Sequence, residues 1–220
     1  MFNEIFSGRC PSCNEGSALN MPMCESCLNK LTTFDYFCGK CGFPLSRQGI
    51  NCYRCSSKTF KNITNIYALY QYKSSIRKLL LDIKFHYNIR SSLTLKNIIH
   101  LPQFITKYSY IAIVPCFFTR KFRRFYHPAN IFSSYISKTL SIPLYKGLYR
   151  IRNTIFQFQL NRKARSENVY KAFKSNIKLI DKPNILLVDD IFTTGSTVAE
   201  CADVLKKSGA GRIDVIVLAK

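Results

Sequence analysis

The sequence predicts an α/β fold: a parallel sheet with helices on both faces, preceded by a small metal-ordered module. Three observations predict it. Strand-like apolar runs at 110–114, 185–188 and 213–218 alternate with helical patterns at 129–140 and 197–208, the order that builds a parallel sheet. Eight cysteines fall in four Cys-x2-Cys pairs within residues 1–60. Two adjacent carboxylates, Asp189 and Asp190, separate an apolar run from a loop of small residues. The chain therefore divides into a module at 1–60 and a sheet domain at 61–220.

In the module the pairs are Cys10/Cys13, Cys24/Cys27, Cys38/Cys41 and Cys52/Cys55, repeating every 14 residues. Two thiolates at this spacing bite one tetrahedral ion, and two such knuckles complete a four-cysteine site. Eight ligands make two structural zinc sites, paired either consecutively or with the first pair crossing to the third. A disulfide framework needs an oxidising compartment, and residues 1–10 lack the basic-then-apolar pattern of an export signal. The expectation is a cytoplasmic protein with no transmembrane segment, since its longest uncharged run, 125–137, is 13 residues and broken by Pro128.

Ile66, Ala68 and Leu69, with tyrosines 67, 70 and 72, suggest a first strand. Ser74 or Ser75 then caps a helix with Ile76, Leu79, Leu80 and Ile83 on one face. Arg77, Lys78 and Lys84 fall outside that face and read as solvated. Tyr110 to Val114 forms the next strand, stopped by Pro115. Pro128 suits a helix start, and Ile131, Phe132, Tyr135, Ile136 and Leu140 give its apolar stripe.

Charge is concentrated between these elements. The net charge is +21, and residues 61–175 hold 21 Lys/Arg against two acids, Asp82 and Glu167. An excess of this size in one domain favours a polyanionic partner. Arg120, Lys121, Arg123 and Arg124 are interleaved with Phe122, Phe125 and Tyr126, the components of a single-strand groove or of a wet loop with tucked rings. A second basic block, 150–173, contains Arg162 and Arg165. These six cations are the candidate nucleic-acid contacts, with single-stranded DNA as the partner.

The stretch from Asn184 to Thr197 carries the chemistry. Ile185 to Val188 is a short buried strand, and Asp189 and Asp190 follow. Ile191, Phe192, Thr193, Thr194, Gly195, Ser196 and Thr197 lead into a helix with Val198, Cys201, Ala202 and Leu205 on one face and Gly209 as its stop. A helix N-terminus offers unpaired N–H groups to an anion, and glycine lets backbone approach it closely. A phosphate fits the loop, while carboxylates beside it suit sugar hydroxyls or Mg²⁺. Phosphate and diol together suggest a ribose 5-phosphate. No Gly-Lys-Ser/Thr is present, which excludes a Walker A loop. Cys201 is expected to pack in the core.

This stretch resembles the phosphoribosyl pyrophosphate (PRPP) signature of type I phosphoribosyltransferases. The whole chain resembles the ComF/ComFC family of phosphoribosyltransferase-like competence proteins. The resemblance runs through Cys41-Gly42-Phe43-Pro44-Leu45, Val114-Pro115, Arg123-Arg124, the Gln157…Leu160…Arg165…Asn168…Ala172-Phe173 block and Val188-Asp189-Asp190…Thr193-Thr194-Gly195. It implies a type I phosphoribosyltransferase-like sheet behind a double zinc ribbon, and a cytoplasmic protein of natural transformation that meets DNA-uptake machinery. By position, Asp189 and Asp190 would face ribose hydroxyls as the catalytic candidates. Thr193 to Thr197 would hold the 5-phosphate, and Pro115 and Cys116 would lie at the pyrophosphate loop. Two functions stay open: a single-stranded-DNA-binding protein, and an active transferase using Mg²⁺ and PRPP.

Overall fold

The computed structural model describes residues 8–17, 23–38, 43–47, 52–56, 60–86, 88–101, 107–115, 127–152 and 169–220. Cys41, Cys116, Arg120, Lys121, Arg123, Arg124, Arg162 and Arg165, all singled out above, lie outside these residues.

The N-terminal part has little regular structure. Hairpin β1 (Gly8–Arg9) and β2 (Gly16–Ser17) leads to a one-turn helix α1 (Glu25–Leu28). The pattern repeats with β3 (Tyr36–Phe37), β4 (Pro44–Leu45) and α2 (Tyr53–Ser56).

The second part is a five-stranded sheet in the order β5 (Ile66–Tyr70), β11 (Ile213–Ala219), β10 (Ile185–Ile191), β6 (Tyr110–Ile113), β7 (Leu144–Tyr145). Every neighbouring pair is parallel. Strands buried on both faces read as near-continuous apolar runs, which is how Ile185–Val188 of β10 and Val215–Ala219 of β11 are written. Their residues alternate between two cores. Ile185, Leu187, Val215 and Val217 face one side, where Val198, Cys201 and Leu205 of α6 (Ser196–Lys207) pack. Leu186, Val188, Ile216 and Leu218 face the other, covered by α3 (Ser74–His86), α4 (Ile89–Ile98) and α5 (Pro128–Leu140). This is the expected α/β phosphoribosyltransferase-like sheet with helices on both faces. Outside the sheet, β8 (Leu148–Arg150) and β9 (Phe173–Ser175) form an antiparallel hairpin against α6.

The ribbon grips both cores. Cys10, Met23 and Cys27 join the α3–α5 side, and Phe43 joins the α6 side. On the first side Arg90 of α4 donates to Ser17 Oγ at 3.0 Å, and its guanidinium lies so close to Gly8 that a β-carbon there would overlap it. On the second side Phe43 meets Phe192 edge-on at 5.7 Å. Lys220 Nζ sits 4.5 Å above the Phe43 ring.

Local signals set the element ends. Pro128 occupies the first turn of α5 behind His127 as N-cap, and Ser141 ends it in the left-handed region. Gly209, at φ +108°, follows the last turn of α6, and Ala210 N–H returns to Leu205 O at 3.0 Å. One boundary differs from expectation: β10 does not stop at Val188 but continues through both aspartates to Ile191. Its ladder to β11 carries on through Asp189↔Val217 and Ile191↔Ala219, so the acidic pair lies within a strand.

Candidate functional site

The site stands at the carboxyl end of β10, the edge at which ligands bind open α/β sheets. Pro115 follows β6 on the same rim, where Val114 N–H donates to Val188 O at 3.0 Å. Because successive strand residues point to opposite faces, Asp189 and Asp190 diverge. Asp190 is buried among the α3–α5 elements, and Asp189 is only half-buried.

Asp190 has company that the sequence pattern does not reveal. Lys84 Nζ of α3 lies 2.8 Å from Asp190 Oδ2, and His127 Nε2, at the start of α5, lies 4.0 Å from the same oxygen. Asp190 Oδ1 accepts the Ile191 N–H at 2.9 Å. Burial alone would raise this carboxyl, but the Lys84 ammonium and the nearby imidazole hold it well below the usual carboxylate range. Asp189 goes the other way. Burial and the adjacent Asp190 charge push it well above its ordinary value. Asp189 Oδ1 accepts the Asp190 N–H at 2.9 Å. The two neighbouring carboxyls are thus pushed in opposite directions, Asp189 up and Asp190 down.

The expected solvation of Lys84 is therefore corrected: its side chain is only 28 % exposed and salt-bridged to the site. Lys84 and His127 are the site residues that sequence reasoning missed. Lys84 borders the apolar stripe next to Ile83, and nothing local marks its partner 106 residues away.

The phosphate loop follows directly. Phe192 is buried and donates its N–H to Ala219 O at 2.8 Å. Thr193 is exposed and Thr194 partly so. Thr194 Oγ1 and Ser196 Oγ stand 3.0 Å apart. Gly195 has φ +79° and caps α6 with its backbone, its O accepting the Ala199 N–H at 2.9 Å. A β-carbon at Gly195 would come within 2.4 Å of Phe60 and 2.5 Å of Phe192. Gly195 brings no capping side chain of its own, and the Ser196 N–H donates to Thr194 Oγ1 at 3.5 Å, so hydroxyl and backbone N–H groups gather at the helix start, where an anion is favoured. Cys201, one turn further, is fully buried, and burial pushes its thiol well up, so it is a core residue as expected.

The acidic pair does not fit a self-sufficient Mg²⁺ site. Asp190 Oδ2 is salt-bridged to Lys84 and its Oδ1 accepts a backbone N–H, while Asp189 Oδ1 accepts the Asp190 N–H. The remaining acceptor capacity of Asp189 suits a sugar hydroxyl.

The metal centre is clearer. The thiols of Cys10, Cys13, Cys24 and Cys27 all lie within 4.8 Å of one another, as do those of Cys38, Cys52 and Cys55. Cys13 and Cys24 sulfurs are 3.6 Å apart, and Cys38 and Cys55 sulfurs 3.7 Å. Zinc–sulfur bonds of about 2.3 Å in a tetrahedron place sulfurs about 3.8 Å apart, so the donor sets fit zinc. The first group joins consecutive pairs, and the described members of the second do likewise, which settles the alternative left open by the spacing.

Residues 1–56 match the family described as the double zinc ribbon domain. Over nearly its whole length the chain is similar to Competence protein F of Haemophilus influenzae, with 30 % identity covering 99 % of both chains. It is similar to the DNA utilization protein YhgH of Escherichia coli strain K12 at 26 % identity over 97 % of both chains. The protein of that name from Salmonella typhimurium is 24 % identical, again over 97 % of both.

Proposed function

Because the chain belongs to the ComF family, we propose that it serves DNA uptake in the cytoplasm by holding single-stranded DNA on its phosphoribosyltransferase-like domain. The observation that carries this reading is the charge distribution: 21 of the 33 Lys/Arg fall in residues 61–175, against two acids. The names of the relatives, a competence protein and DNA utilization proteins, support the same direction. In this reading the loop from Thr193 to Thr197 receives a phosphate of the strand, or its terminal 5′-phosphate. Asp189 meets a sugar hydroxyl beside it, Pro115 borders the same rim, and Cys116, outside the described residues, is assigned with it to the pyrophosphate side by the family resemblance. Arg120, Lys121, Arg123, Arg124, Arg162 and Arg165 add backbone contacts. The two zinc ions are structural, and components of an uptake machine are the expected protein partners.

The test is fluorescence anisotropy of a labelled single-stranded oligonucleotide with zinc-loaded protein, at two salt concentrations, with and without Mg²⁺-PRPP. Tight, steeply salt-dependent binding is expected, since each neutralised phosphate releases counterion. Displacement by PRPP supports the loop as part of the DNA site. Absence of binding at moderate salt overturns the reading.

One observation favours a second reading. The start of α6, where the Thr194 and Ser196 hydroxyls stand 3.0 Å apart, beside the acidic pair also suits the phosphate and diol of PRPP. A base or amine would then attack C1, forming a carbon–nitrogen bond as the bond to pyrophosphate breaks. Asp189 and Asp190 would position the ribose, and Mg²⁺ would enter with the pyrophosphate. Release of pyrophosphate in the presence of an acceptor tests it.

A further inference from the structure

The β8–β9 hairpin has one face in the core and one in water. Leu148 and Phe173 are buried, and the alternate residues Tyr149 and Lys174 are exposed and stand directly opposite each other in register. Tyr149 is 39 % exposed, and Tyr170, just before the second strand, is 57 % exposed. Lys171 Nζ lies 5.1 Å from the centroid of the Tyr170 ring. Arg152 reaches across the hairpin and donates to Tyr170 O at 2.7 Å, which ties the base of that side chain in place. Lys146 extends the basic rim. The segments 146–152 and 169–182 together contain a single acid, Asp181.

The hairpin is also seated firmly on the helix that carries the phosphate loop. Lys171 N–H donates to Glu200 Oε2 at 3.0 Å, and Ala172 and Phe173 share a core with Val198, Cys201 and Ala202. The rings are therefore held out in solvent by a fixed scaffold. Cations alone would suit any polyanion. Exposed rings among cations select further, because only a strand with unstacked bases can lay its π-faces on them. A duplex keeps its bases covered and would use the lysines only.

We propose that Tyr149 and Tyr170, flanked by Lys171 and Lys174, form a stacking platform for the bases of single-stranded DNA. The proposal rests on the single-stranded-DNA reading above and adds to it a site outside the phosphate loop and outside the basic segments picked from the sequence.

The test uses the full zinc-loaded chain and two labelled probes of equal length, an oligothymidylate and its abasic counterpart. The variants are Tyr149→Ala/Tyr170→Ala, Tyr149→Phe/Tyr170→Phe and Lys171→Ala/Lys174→Ala. The alanine pair is expected to weaken oligothymidylate binding about thirtyfold or more while leaving the abasic strand unaffected, and the phenylalanine pair to bind like wild type. The lysine pair is expected to lower the slope of log K against log salt by about 1.4. Wild-type affinity in a folded alanine pair, or equal losses on both probes, overturns the platform while leaving the DNA reading intact. Unlabelled duplex DNA and RNA of the same length are added as competitors, and displacement of oligothymidylate by either more readily than by unlabelled oligothymidylate overturns the choice of strand. If wild-type protein binds neither probe, the DNA reading fails and the platform with it.

Discussion

Lys84 and Asp190 lie 106 residues apart in the chain and 2.8 Å apart in space, joining α3 to the strand that carries the candidate site. The pair sets a cation against the buried carboxylate at the acidic end of β10 and holds Asp190 well below the usual carboxylate range, while burial and that neighbouring charge push Asp189 up.

Lys84→Met should therefore cost about 2–3 kcal/mol, below the ~3–5 kcal/mol for breaking a fully buried pair because Lys84 is partly exposed. Most of that loss comes from the charge stranded on Asp190. Lys84→Met combined with Asp190→Asn should recover much of it. Urea unfolding of the four proteins gives the coupling energy, and strict additivity would show that the pair does not interact.

The pH dependence has a defined sign. Asp189 is raised in the fold, so its contribution is fully present below the unfolded value, about 4, and is lost as pH rises through the folded value. Asp190 is depressed, so its contribution is present above about 4 and is lost as pH falls toward its lower folded value. Asp189→Asn should abolish the decline of stability with rising pH that begins near pH 4 in the wild type. Denaturation midpoints across pH 4 to 8 check this; identical profiles for the two proteins would show that Asp189 is not raised.

The halves of the ribbon should fail differently. Cys24→Ser should remove one of two zinc ions and loosen the contact of Gly8 and Ser17 with Arg90. Cys38→Ser should remove the other and loosen the phosphate loop through Phe43 and Phe192. Zinc content by mass spectrometry and amide exchange over 192–197 measure both effects. Faster loop exchange in the first variant and not in the second would reverse the assignment.

Gly195→Ala should destabilise by about 2 kcal/mol or more. It forces a side chain into the left-handed region and against two phenyl rings. Thermal unfolding measures the loss. Adding Phe60→Leu should return part of it if contact with that ring is a main cause.

The sheet was legible where sequence periodicity and burial coincide. Ile185–Val188 of β10, Val215–Ala219 of β11, and the apolar faces of α3, α5 and α6 follow their expected periods, and Gly209 marks a real stop. Helix α4 was not legible because it buries Ser91, Ser92 and Thr94 and exposes Ile89 and Leu93, inverting the usual pattern. β8 and β9 were missed because they are only three residues each and flank a basic block read as a loop. Within the site, the loop and aspartates were visible as a local motif. Lys84 and His127 were not, since long-range ion pairs leave no periodic trace. The cysteine spacing gave the ligands, and only three-dimensional proximity gave their pairing.

The strand order has a consequence for how the chain comes together. β5, at residues 66–70, borders the sheet through β11, at 213–219, which lies between β5 and β10. On a ribosome β5 must therefore wait for nearly 150 further residues before its neighbour emerges, and such distant pairing makes folding slow. The cysteine knuckles need only nearby partners and can close around metal long before. A nascent chain would then carry a finished ribbon ahead of an unfinished sheet, with Phe43 exposed until Phe192 arrives to cover it.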